Sequence, residues 1–177
     1  IVVVGGIRFK RGIQGNCQLE HLTLRQAKGF GVDGKSSFTM DDVLVEQCLC
    51  GIYADGTGGV GRCTNVEVRQ CGMSGVFAAN GGSITLIGAK TTVHHNCTKR
   101  SSYHYGLQVF GSSSTIQLVS PLTKEIVSTN NGGAGNWGAA FGADIDDIKQ
   151  IEPNDAAAAS VSASTAETMT GETKSIH

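Results

Sequence analysis

Short segments of alternating apolar and polar residues run along most of the chain and are separated by glycine-containing turns. Alternation with a period of two is typical of β-strands that bury one face. No segment before residue 150 shows the apolar stripe of period 3.6 that marks an amphipathic helix. The pattern therefore predicts an all-β chain built from many short strands.

The alternating segments are copies of one another. Four copies begin at Leu22, Val43, Val66 and Thr91, which gives offsets of 21, 23 and 25 residues, and a fifth is expected at residues 126–130. Each copy holds an alternating strand, a small or polar residue and then a glycine followed by an apolar residue. A unit this small cannot bury its apolar face alone, so consecutive copies must stack as a solenoid.

The repeated pattern Val-x-Val-x-x-Cys, followed shortly by glycine and an apolar residue, resembles the coils of right-handed parallel β-helix proteins. That group includes pectate lyases, polygalacturonases and phage tailspikes, and the resemblance covers roughly residues 7–150. It implies a right-handed parallel β-helix of about six coils over residues 1–152. Residues 153–177 are rich in Ala, Ser and Thr and are expected to form a flexible low-complexity tail or linker.

In such a solenoid, equivalent residues of consecutive coils lie one above the other at about 4.8 Å. Two inward-facing columns are predicted. One is aliphatic and contains Leu24, Val45, Val68 and Val93; the other lies at a corner and contains Ala27, Cys48, Cys71, Asn96 and, in the fifth copy, Asn130.

The charge balance excludes some partners. Fourteen Lys and Arg residues against fifteen Asp and Glu residues give a net charge of −1, which argues against nucleic-acid binding and against a polybasic membrane anchor. No apolar run approaches the roughly 20 residues of a membrane span. The apolar start Ile1–Val4 provides no polar cap for a solenoid, which suggests upstream sequence or end-to-end association in a homo-oligomer.

Six cysteines allow three interpretations: free thiols in the core, disulfides or a metal site. Their spacing is not that of a zinc ribbon. Cys48 and Cys71 occupy the column position of Ala27, which favours small buried side chains.

Acids near the glycine turns are the most suggestive polar feature. Asp33-Gly34, Asp55-Gly56 and Asn80-Gly81 occupy similar places in three copies and are expected to lie side by side along one edge. They could form turns only, bind a sugar or calcium, or catalyse glycoside hydrolysis, which uses two carboxyl groups. No other metal or cofactor is indicated.

An enzyme is less favoured than a binding module. Of the motifs of polygalacturonase-like chains only Asp41-Asp42 appears, and the Asp-Pro-His-Glu motif of epimerase-like chains is absent. Gly56 to Gly61 matches a dinucleotide-binding pattern but leads into a strand rather than a helix, so it is interpreted as a coil turn.

The β-helix resemblance and a few aromatic residues point to a non-catalytic module that binds a glycan or polysaccharide at a cell, wall or particle surface. Besides the three turn residues, the candidate ligand-binding residues are Tyr103, His104, Tyr105 and Trp137. Trp137 could instead cap the core. The alternatives are a structural segment of a surface fibre, capsid or extracellular assembly and, third, a polysaccharide-degrading or epimerising enzyme. An extracellular or surface-associated location is expected.

Overall fold

Eighteen short strands form six successive coils in the computed structural model, which describes residues 1–158. In chain order, three to a coil, they are β1 (Val2–Val4), β2 (Ile7–Phe9), β3 (Gln18–Glu20), β4 (Thr23–Arg25), β5 (Phe30–Gly34), β6 (Phe38–Asp41), β7 (Leu44–Glu46), β8 (Cys50–Asp55), β9 (Val60–Thr64), β10 (Glu67–Arg69), β11 (Val76–Ala79), β12 (Ser83–Ile87), β13 (Thr92–His94), β14 (Tyr105–Phe110), β15 (Thr115–Val119), β16 (Ser128–Thr129), β17 (Gly135–Ala140) and β18 (Ile148–Ile151). Two short helical turns, α1 (Lys124–Val127) and a 3₁₀ turn (Ile145–Asp147), lie in the last coil.

The strands assemble into three parallel sheets of six strands each. Sheet A contains β1, β4, β7, β10, β13 and β16; sheet B contains β2, β5, β8, β11, β14 and β17; sheet C contains β3, β6, β9, β12, β15 and β18. Every strand pairs with its equivalents in the adjacent coils. The all-β, parallel-strand solenoid predicted from the repeats is therefore confirmed.

Residues 153–158 of the predicted tail are helical, and Ala156 is buried. The remainder of that prediction, residues 159–177, lies outside the described residues. No helix within residues 1–158 is long and apolar enough to cross a membrane.

Residues with left-handed backbone form the corners between the sheets. Between sheets A and B the corner residues Gln26, Gln47 and Gln70 have φ of 58°, 55° and 55°. A left-handed conformation costs roughly 1–2 kcal/mol per residue. The corner N–H groups nevertheless continue the ladder, since Gln26 donates to the Glu46 carbonyl and Gln47 to the Arg69 carbonyl, both at 3.2 Å.

The core is a set of inward columns, one residue per coil. The predicted aliphatic column is confirmed, because Leu24, Val45, Val68 and Val93 are in register and fully buried. The corner column is confirmed for Ala27, Cys48, Cys71 and Asn96, which are likewise buried.

The fifth member of the corner column is Asn131 and not Asn130, so that prediction was wrong by one residue. Ser128 pairs with Val93, so Asn131 follows Ser128 at the spacing at which Asn96 follows Val93. The polar Ser128 stands where the other copies have an aliphatic residue, which hid this register in the sequence. Asn130 is the left-handed corner residue, with φ of 54°. The Asn131 side-chain oxygen accepts from the Asn96 backbone N–H at 2.9 Å, which holds the column together across the coils.

A column of glycines keeps sheet B close to sheet A. A side chain at Gly51 would overlap the Gly75 carbonyl oxygen and the Val68 methyl group of the next coil. Gly31, Gly75 and Gly106 meet equivalent obstacles. The glycine of each repeat is thus required by close packing at this corner.

We expect Gly51→Ala to lower the free energy of unfolding by about 1–3 kcal/mol, because the obstructing atom is backbone and cannot rotate away. Gly29→Ala is the matched control, since a methyl group there meets no atom within 4 Å and the φ of Gly29 is not left-handed. Urea denaturation measures both changes. Equal stabilities of the two variants would contradict this packing.

Candidate functional site on the outer face of sheet B

Sheet B and its corners carry all seven candidate residues, but Trp137 faces the core and the remaining six are Asp33, Asp55, Asn80, Tyr103, His104 and Tyr105. The expected row of turn acids is only partly formed. Asp33 pairs in register with Tyr53, and Asp55 pairs with Ala79. Placing the three pairs at one position requires gaps in the alignment after the glycine that the copies share, which is Gly31, Gly51 or Gly75. The strands pair after this glycine without gaps. Asp33 therefore lies within β5 and not at the corner.

Asp55 and Asn80 do meet, as the sequence predicts. The Asn80 side-chain amide donates to Asp55 Oδ1 at 2.7 Å, and the Tyr53 hydroxyl donates to the same oxygen at 3.1 Å. Lys35 Nζ lies 3.2 Å from Asp55 Oδ2. Partial burial opposes ionisation of Asp55, but the hydrogen bonds from Asn80, Lys35 and Tyr53 outweigh it and lower the pKa of this carboxyl. Asp55 is therefore an ionised acceptor that is already supplied with donors.

Asp33 is the most buried acid of this face, with 4% of its surface exposed. Arg8 Nε donates to Asp33 Oδ2 at 2.6 Å. The second oxygen, Oδ1, is buried and has no hydrogen-bond partner among residues 1–158. Buried acceptors are normally satisfied, so this oxygen has capacity for one more donor.

A row of five aromatic rings crosses the outer face of sheet B, and the sequence analysis missed it. The aromatic row consists of Phe30, Tyr53, Phe77, Phe110 and Phe141, one from each of coils two to six. Successive ring centroids are 4.4, 5.1, 6.2 and 4.5 Å apart. Tyr53 and Phe77 are register partners, but Phe30, Phe110 and Phe141 occupy other positions of the repeat, which conceals the row. One aromatic residue per coil near the second strand is the signal that could have revealed it.

The first and last parts of the aromatic row differ in geometry. Phe30 and Tyr53 are stacked with only 12° between their planes, whereas Phe77 and Phe110 meet edge to face at 85°. Phe141, at the far end, is 80% exposed. Phe110 and Phe141 are again close, at 4.5 Å with 32° between their planes, so the rings stay in contact along the row and its most exposed surface lies at Phe141.

The loop before β14 brings polar groups to the border of sheet B that adjoins sheet A. The Ser74 hydroxyl donates to the Gln108 side-chain oxygen, and Gln108 Nε2 donates to the Tyr103 carbonyl at 3.1 Å. His104 Nδ1 lies 3.3 Å from Ser74 Oγ. The Tyr103 side chain is 78% exposed, and Tyr105 lies over Gly138, where a side chain would overlap its ring.

A small apolar groove lies between this loop and the aromatic row. Its lining includes Gly29, Phe30, Cys50, Met73, Phe77 and His104. Two residues of the aromatic row, Phe30 and Phe77, therefore also form walls of the apolar groove. The groove extends the outer face of sheet B towards the corner with sheet A.

Trp137 lies apart from this surface. It pairs with Leu107 in an inward column and packs against the core in the last coil. This position supports the interpretation of Trp137 as a cap of the core.

The other two faces differ in chemistry. On sheet A, Glu46 is buried between Arg25 and Arg69, with Nη2 to carboxylate distances of 3.2 and 2.9 Å, so its charge is already paired. On sheet C, hydroxyl and amide groups bond across coils, as in Thr85 to Gln117 at 3.2 Å. Among the three sheets of residues 1–158, sheet B is the one that combines a row of rings with carboxylate and amide groups at its border.

Metal binding finds little geometric support. Within residues 1–158 no three His, Cys, Asp or Glu side chains are grouped so that they could hold a metal ion. Cys48 and Cys71 are buried in the corner column and all six thiols are free. The glycines from Gly56 to Gly61 lead into strand β9, as the coil-turn interpretation predicts.

No family model matches the chain, and no curated protein or solved structure matches it significantly. A function must therefore come from the geometry of the molecule itself.

We expect Asp55→Asn to lower the free energy of unfolding by about 1 kcal/mol at pH 7, since three donors lose a charged acceptor. The folded-state pKa of Asp55 lies below its ordinary value, so its stabilisation is present above the ordinary pKa and is lost as the pH falls through the folded-state pKa. The difference between wild type and variant should therefore vanish in strong acid. Urea denaturation as a function of pH measures it.

Asp41→Asn is a suitable control, because the Asp41 side chain has no hydrogen bond or ion pair in the described part of the chain. Adding calcium should leave the melting temperature of the wild type unchanged, since both oxygens of Asp55 already accept from donors. A rise with calcium that Asp55→Asn abolishes would instead establish a cation site.

Proposed function

We propose that the protein is a non-catalytic carbohydrate-binding solenoid whose binding surface is the outer face of sheet B. The observation that carries this proposal is the aromatic row, bordered by the Asp55–Asn80–Lys35 hydrogen-bonding group. A sugar ring has apolar C–H faces and a rim of hydroxyl groups. Binding sites for such amphipathic ligands combine aromatic side chains with a few placed polar groups.

The geometry favours a chain ligand aligned with the solenoid axis. The aromatic row advances by one ring per coil, at the coil spacing of about 4.8 Å, so a ligand made of repeating units along the axis would meet a ring in each coil. The exposed side chain of Asn80 and the partly exposed side chain of Lys35 border the row, so hydroxyl groups of a bound sugar would find polar partners beside the rings. A glycan or polysaccharide is therefore the proposed partner.

The electrostatics of the two acids support binding over hydrolysis. A glycosidase needs one carboxyl group with a raised pKa as its general acid. The pKa of Asp55 is lowered, and Asp33 is paired with Arg8. The lowered pKa of Asp55 is the opposite of what a general acid requires.

A structural segment of a surface fibre, capsid or extracellular assembly is the second candidate. The stacking of Phe30 on Tyr53 favours it, because rings packed face to face stabilise adjacent coils and leave mainly their edges for a ligand. Both candidates would act outside a cell or on its surface.

We infer in addition that the solenoid is right-handed, as in the pectate lyase-like and tailspike-like proteins that the repeats resemble. Crossovers between parallel strands of one sheet are right-handed in about 98% of cases.

The test is binding to an array of neutral and acidic glycans, followed by titration of the best ligand. Phe77→Ala should weaken binding at least about tenfold, because it removes the central ring of the row. Thr85→Ala, on the outer face of sheet C, is the control and should bind like the wild type. Circular dichroism checks that both variants fold.

Two results would contradict the proposal. One is the absence of binding to every glycan, and ordered multimers by light scattering would then favour the structural candidate. The other is binding that Phe77→Ala leaves intact, which would place the ligand on another surface.

A further inference from the structure

The apolar groove beside the aromatic row is enclosed enough to select a substituent on the ligand. Its cavity volume is about 110 Å³, and only apolar atoms form its exposed lining. Burial raises the pKa of the Cys50 thiol to about 12, so this wall is uncharged at neutral pH. A sugar hydroxyl placed here would lose its hydrogen bonds to water without gaining others, which is unfavourable.

The size of the groove narrows the choice of occupant. A buried cavity of roughly 150 Å³ holds a benzene molecule. This groove is smaller, so an aromatic ring would not fit inside it. A single methyl group would leave much of the space unfilled and forfeit contacts with the walls. An acetyl group, with its terminal methyl directed inwards, lies between these limits.

A network of hydrogen bonds holds His104, which forms one wall of the groove. The Ser74 hydroxyl proton is used on Gln108, whose own orientation is set by its bond to the Tyr103 carbonyl. Ser74 Oγ can therefore only accept from His104 Nδ1, which assigns the proton of the neutral imidazole to Nδ1. These bonds hold the His104 ring in place, so this wall of the groove is preformed.

We propose that the apolar groove receives the acetyl group of an N-acetylated sugar within the glycan that binds along the aromatic row. This inference rests on the proposed function and specifies its ligand class. Phe30 and Phe77 belong to both surfaces, so one sugar can lie on the row while its acetamido group enters the groove.

The test compares two matched ligands by isothermal titration calorimetry: β-1,4-linked oligomers of N-acetylglucosamine and of glucose, which differ only in the acetamido group. The N-acetylated oligomer should bind roughly tenfold more tightly, as expected for burying a methyl group and part of its carbonyl carbon. Equal affinities, or tighter binding of the glucose oligomer, overturn the acetyl inference while leaving glycan binding in place. If neither these oligomers nor any glycan of the array binds, the proposed function fails and this inference fails with it.

Variants at Gly29 locate the preference. Gly29 lines the apolar groove and has open space where a side chain would begin. Gly29→Leu should fill the groove and bring the affinity for the N-acetylated oligomer down to that for the glucose oligomer, whereas Gly29→Ala, the smaller control, should keep most of the preference. A preference that survives Gly29→Leu in a folded protein overturns the assignment to this groove.

Discussion

The hydrogen-bonded register between coils is the constraint on which the rest of the structure depends. Each strand pairs in parallel with its equivalents, so each residue lies directly above its counterpart in the neighbouring coil. A change of one residue in this register would turn every buried side chain outwards. The corner residues tolerate their left-handed backbone because the ladder continues through them.

The same register gives each face its own chemistry. Side chains that point outwards are repeated along the axis, which produces paired charges on sheet A, hydroxyl and amide contacts on sheet C and the aromatic row on sheet B. Such rows extend over several coils. They suit a ligand that is itself a repeating chain, and this is the physical link between the solenoid and the proposed carbohydrate binding.

The sequence predicted the features that repeat and missed those that do not. The columns of Val45 and Cys48 could be predicted because equivalent residues recur at nearly constant offsets. Asn131 was missed because the polar Ser128 stands where the other copies have a buried aliphatic residue, so the alternation that sets the register is absent in the fifth copy. Asp33 was misplaced because turn residues were aligned across gaps that the sheet does not contain. The aromatic row was missed because only Tyr53 and Phe77 occupy the same position of the repeat, while the other three rings take different positions and join the row only after folding.

The most direct test of the account is to locate the bound glycan on the folded protein. Chemical-shift perturbation in ¹H–¹⁵N and aromatic NMR spectra, recorded during titration with the best ligand of the glycan array, reports which residues change environment. The account predicts that the largest shifts cluster on the outer face of sheet B, at Tyr53, Phe77 and Phe110 and at the Asn80 side-chain amide. Shifts concentrated on sheet A or sheet C, with sheet B unchanged, would contradict it.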